Sequence, residues 1–150
     1  MRGFLLDTNV VSMLSPSAPD VPPPFLDWLE RMDGEGRIFL SVVAVHEIEK
    51  GIALLDHKGA TAKAAGLKAW LAGLIAGYND KILGLDAATA AVSGRLEASA
   101  AAGGHAPGMA DAIIAGIAHV HDLTVVTRNI RHLLPFGIDV SSPDAVAGSE

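Results

Sequence analysis

Phe4-Leu5-Leu6-Asp7-Thr8-Asn9 is an apolar run stopped on a carboxylate, and its reading sets the fold. Continuous apolar residues ended by Asp-Thr-Asn read as a strand buried on both faces, followed by a helix start with Asn9 as N-cap and the helix running through Leu14. The same grammar recurs downstream. Ile38-Phe39-Leu40-Ser41 is a second such run, and residues 44–55 then carry Val45, Ile48, Ile52 and Leu55 as an apolar helical stripe. Residues 60–77 predict a second long helix, forming a hairpin with Leu67, Trp70, Leu71, Leu74 and Ile75 inside. Residues 81–85 predict a third strand at the sheet's edge, and Asp86 caps an alanine-rich helix to Ala102. Residues 109–121 predict another helix, 123–127 a fourth strand and 138–140 a fifth. Short apolar strands alternating with helices specify an α/β fold: an open parallel sheet of about five strands with helices on both faces.

A chain of 150 residues has the length of one domain. The reading divides it into one domain over 1–143 and a C-terminal tail over 144–150 with little to bury. The stretch 15–24 holds five of the eight prolines and is a loop before a helix over 25–32, too short to be a linker between domains. Absence of cysteine excludes thiol catalysis and cysteine metal sites. Asp7 interrupts the first apolar run too soon for a secretory segment, and no run approaches the ~18–20 residues of a membrane span, so a soluble, cytoplasmic protein is expected. The net charge of −6 argues against a wide basic face for nucleic acid. It leaves open a site of carboxylates that recruits cations, which then meet a phosphate.

In open α/β sheets ligands gather outside the carboxyl ends of the strands. Asp7 follows the first strand, Glu47 is expected in the first turn of the helix after Leu40-Ser41, and Asp111 lies in the first turn of the helix from Met109. Asn129 follows the fourth strand in Thr127-Arg128-Asn129. Each residue alone has a bland reading: a turn aspartate, two first-turn acids on helix dipoles, a turn asparagine. Together they fall on one edge, where three carboxylates repel one another unless a hard divalent cation joins them. Magnesium uses few carboxylates and keeps water, which is what phosphodiester hydrolysis requires. Arg128 and Arg131 flank Asn129, as ordinary solvated arginines or as contacts to substrate phosphates. His46-Glu47 lacks the second histidine of a zinc-protease helix, Lys50 standing in its place. His119 and His121 do not share a helix face and read as surface residues.

Phe4-Leu5-Leu6-Asp7-Thr8-Asn9, Leu40-Ser41 through Glu47 and Gly51, Asp111-Ala112-Ile113-Ile114-Ala115 and Val126-Thr127-Arg128-Asn129 resemble, in order and spacing, the successive motifs of PIN domains. The likeness is greatest to the VapC- and FitB-like toxins of bacterial toxin–antitoxin pairs, and it runs to about Pro143. It implies that Asp7, Glu47 and Asp111 bind metal, with Asn129 and Thr127 completing the catalytic site. It also implies Mg²⁺ or Mn²⁺, RNA hydrolysed by a metal-activated water, a homodimer, and an antitoxin that blocks the site and alone contacts DNA. Two positions depart from the pattern: Asn129 is neutral where an acid is common, and His132 stands where this branch often has an aspartate. The loss of charge at Asn129 disfavours a tightly held second metal. One rival is a catalytically weak module binding nucleic acid or antitoxin on the same fold. A second is a Mg²⁺-dependent phosphatase, against which Asp7-Thr8-Asn9 places an asparagine where a second acid is needed.

Overall fold

The computed structural model describes residues 2–149. Within them five strands, β1 (Gly3–Leu6), β2 (Ile38–Ser41), β3 (Ile82–Leu83), β4 (Leu123–Val126) and β5 (Val140–Ser141), form one sheet in the order β3-β2-β1-β4-β5. Every pairing is parallel, with Phe4 beside Ile38 and Thr124, Leu40 beside Ile82, and Val125 beside Val140. The expected open parallel α/β sheet is therefore present. The chain steps outward from β1 to β3 and then crosses to β4, so strand order reverses between β1 and β4.

Among the described residues eight α-helices surround the sheet: α1 (Thr8–Ser12), α2 (Pro23–Gly34), α3 (Val42–His57), α4 (Thr61–Tyr78), α5 (Ala87–Ala102), α6 (Met109–His121), α7 (Ile130–Leu133) and α8 (Pro143–Gly148). Successive strand residues point to opposite faces. Leu5 and Val125 accordingly pack with Ile114, Ile117 and Ala118 of α6. Leu6 and Val126 pack on the other side with Val10, Val11, Phe25 and Trp28. The α3–α4 hairpin has a small cluster of its own at Ile52, Ala64 and Leu71. Ile75, expected inside the hairpin, is exposed. None of the described helices is long and apolar enough to cross a membrane.

Two boundaries differ from the sequence reading for identifiable reasons. Ser41 N-caps α3 by accepting from the Ala44 amide at 3.2 Å, so the helix begins at Val42. Glu47 therefore sits in its second turn, not its first. Beyond Ser142 the chain does bury surface: Ser142 caps α8 at the Ala145 amide, and Val146 joins the core against α2.

The helix α6 lies close against α5 because Gly116 has no side chain. A Cβ there would stand 2.8 Å from Ser93 Cβ and 3.0 Å from Ser93 Cα. Backbone cannot yield as a flexible side-chain tip can. Gly116→Ala is therefore expected to destabilise the fold by about 1–3 kcal/mol through overpacking, despite alanine's better helix propensity. Urea denaturation giving an unchanged or higher midpoint would contradict this.

Candidate functional site

Asp7 directly follows β1 at the reversal of strand order and is only 6% exposed. Its amide donates to Val126 O at 2.9 Å, which fixes the carboxylate beside the end of β4. Its Oδ1 accepts from the Thr8 amide at 2.8 Å, and its Oδ2 accepts from Thr127 Oγ1 at 2.8 Å and Asn9 Nδ2 at 3.2 Å. Asp7, not Asn9, is thus the N-cap of α1. Asn9 is freed to span the reversal: Nδ2 also donates to Thr127 Oγ1 at 3.3 Å, and Oδ1 accepts from the Arg128 amide at 3.0 Å. Thr127 is fully buried and accepts from the Asn129 amide at 2.9 Å. Asn129 precedes α7 with no capping bond from its side chain, and it is exposed.

Burial is the chief cause raising the pKa of Asp7, and the charge of Glu47 adds to it; hydrogen bonds from Thr127, Thr8 and Asn9 oppose the rise. The pKa of Asp111, in the first turn of α6, is raised by burial, then by the charge of Asp7 and less by that of Glu47, with His132 opposing. The three acids therefore sense one another. Glu47 is exposed, and its Oε1 accepts the Thr8 hydroxyl. Thr8 is a positioning residue that sequence reasoning passed over, as it passed over the bridging role of Asn9. Asp-Thr-Asn at a strand end was the available signal for both.

The expected three-carboxylate cage is not formed: among the described residues no group of three or more His, Cys, Asp or Glu stands close enough to hold a metal. Asp7 instead accepts from Thr127, and Glu47 accepts from Thr8. The oxygen-only donor set fits a hard cation that keeps water and takes one or two carboxylates, as magnesium does. It does not fit a dehydrated cage. Arg128 and Arg131 separate into different clefts. The first lines one of about 640 Å³ with Asp20 and Asp144, and the second lines one of about 340 Å³ with His105, Asp111 and His132.

Thr127 Oγ1 serves Asp7, Asn9 and the Asn129 amide in this network, so Thr127→Val tests it directly. With no hydroxyl, buried groups lose their partner, and a loss of about 1–3 kcal/mol is expected in denaturant unfolding. The Asp7 pKa should rise further, because a bond that stabilises the carboxylate is gone. Carbon-13 NMR titration of Asp7 showing no upward movement would contradict the assignment.

Residues 4–133 match the PIN domain, a span from β1 through α7 that includes every acid of the site. The chain is 32% identical over 141 residues to Toxin FitB of Neisseria gonorrhoeae, covering 93% of this chain and 97% of that protein. The solved structure of FitAcB from Neisseria gonorrhoeae superposes with a TM-score of 0.74 at 32% identity, over 93% of this chain and 97% of that one. DNA-bound VapBC from Salmonella typhimurium superposes with a TM-score of 0.68 at 25% identity, over 95% and 99%. With the parallel sheet, its reversal between β1 and β4, and the matched span all in agreement, the chain belongs to the PIN-domain family.

Proposed function

We propose that this protein is the toxin of a toxin–antitoxin pair and a Mg²⁺- or Mn²⁺-dependent endoribonuclease. The observation that carries the chemistry is the pair formed by buried Asp7 and half-buried Asp111 where strand order reverses, the charge of the first raising the cost of ionising the second. Perturbed acids of this kind, here with Asp111 lining a cleft, are candidates for a functional site. Asp7 and Asp111 would hold the cation, which when bound would polarise the phosphodiester and acidify water. Thr127, Asn9 and the Thr8 amide fix the orientation of the Asp7 carboxylate. Thr8 anchors exposed Glu47 at Oε1, and Glu47 would assist directly or through water. Asn129 contributes a neutral amide at the rim.

The names of the relatives support a toxin: FitB is called one, and VapBC was solved on DNA. On the proposed reading the partners are RNA as substrate, a cognate antitoxin protein, a second copy of the chain, and DNA only through the antitoxin, all in the cytoplasm. Exposed Val42, Leu85 and Met109 beside Glu47 offer apolar surface for such an association.

Purified protein should cleave RNA with Mg²⁺ or Mn²⁺ and stop with EDTA. A second reading, a binding module on a nuclease fold, is favoured by the absence of a three-acid group among the described residues. Asn129→Asp separates the two. An inactive natural protein made active by Asn129→Asp supports the module. Activity in both, with the variant saturating at lower magnesium, supports the enzyme, and this is the expected result.

A further inference from the structure

The cleft of about 340 Å³ beside Asp111 is walled by the 105–108 loop, the start of α6, and α7. His105, Arg131 and His132 are exposed along it. Arg131 has no ion-pair or hydrogen-bond partner for its guanidinium among the described residues. Asp111 is the only acid among the described residues that line it. The cleft at Arg128 differs, because Asp20 and Asp144 both line it. On a chain of net charge −6, an anionic strand needs a local cationic hold. Of the two clefts that the arginines line, the one at Arg131 sets one carboxylate against its guanidinium and the one at Arg128 sets two.

We propose that His105, Arg131 and His132 form a subsite for an RNA backbone phosphate next to the one presented to Asp7 and Asp111. This rests on the ribonuclease reading above. The planar guanidinium matches two phosphate oxygens at once, and the imidazoles add N–H donors. A phosphate hold fixes the strand's register without reading its bases. Arg131 and Arg128 then have separate tasks, although only three positions divide them.

The test is fluorescence anisotropy with two labelled single-stranded RNA oligonucleotides of unrelated sequence. They are titrated onto the full-length Asp7→Asn protein, which does not consume them, in magnesium at several salt concentrations. Adding Arg131→Gln should weaken binding of both RNAs alike and reduce the slope of log affinity against log salt by about 0.7, the loss of one single-strand phosphate contact. His132→Gln should weaken both RNAs in the same sense. Lys58→Gln removes an equal charge from the end of α3 and controls for net charge. An Arg131→Gln slope equal to that of the Lys58→Gln control overturns the subsite and leaves the ribonuclease reading standing. Weakening confined to one RNA means base recognition and also overturns it. If no form binds RNA and natural protein does not cleave it, both readings fall together.

Discussion

Asp7→Asn is expected to lower metal-dependent RNA cleavage by roughly 10²-fold or more while changing the stability of the metal-free fold by less than about 1 kcal/mol. Two effects oppose each other in the fold. Removing a buried charge relieves desolvation and the repulsion from Asp111 and Glu47. Against that, an amide nitrogen facing Thr127 and Asn9 cannot accept the two bonds that Oδ2 accepts now. The N-cap acceptor for Thr8 survives in asparagine, a good capping residue. Asp7→Ala loses the cap and strands both donors, so it should cost about 2–3 kcal/mol. Cleavage assays paired with urea unfolding separate the outcomes. An Asp7→Asn protein that unfolds readily yet cleaves normally would make Asp7 a structural residue.

Magnesium should raise the melting temperature at neutral pH and lose that power in acid. Asp7 and Asp111 both have folded pKa values above the ordinary 3.8. The folded state thus binds their protons more tightly than the unfolded chain does. Their contribution to stability is full below the unfolded value and is lost as pH rises through the raised folded values. The metal-free protein at pH 7 carries that loss. A cation binding the ionised pair opposes it, and at a hundred times its dissociation constant the gain is about 2.7 kcal/mol. For a domain of this length that is about 5–10 °C. Calorimetry with and without magnesium at several pH values checks it. Asp111→Asn should shrink the shift; a shift of unchanged size in Asp111→Asn would remove Asp111 from the cation site.

The sheet was legible because each strand buried on both faces is a continuous apolar run, and such a run needs no distant partner to be seen. Helix α6 was legible to its ends, with Gly108 before it and a left-handed Asp122 closing it. The start of α3 was not, because β-branched Val42 and Val43 are weak helix formers and the Ser41 hydroxyl caps the helix that includes them. Helix α8 carries a serine cap and a following proline in plain view. Its reason to exist is the surface of α2, more than a hundred positions away. The same limit governs the site. A carboxylate at a strand end can be read locally, whereas the grip of Thr8 on Glu47 joins residues 39 apart and the bond from Thr127 to Asp7 spans 120. Both bonds join distant partners, and no local pattern encodes them.

The placement of β1 at the centre of the sheet, between β2 and β4, bears on the chain's synthesis. The strand made first can pair with β2 early, but its other edge stays open until β4 is made. At translation speeds of ~5–20 residues per second, the 120-residue interval separating Asp7 from Thr127 lasts roughly 6–24 s. During that time Asp7 lacks the Thr127 hydroxyl, and Asp111 is itself absent for most of it. A nascent chain still short of β4 therefore holds no assembled site. If the protein is the ribonuclease proposed above, the order of its strands works as a timer: the site cannot act before β4 has been made.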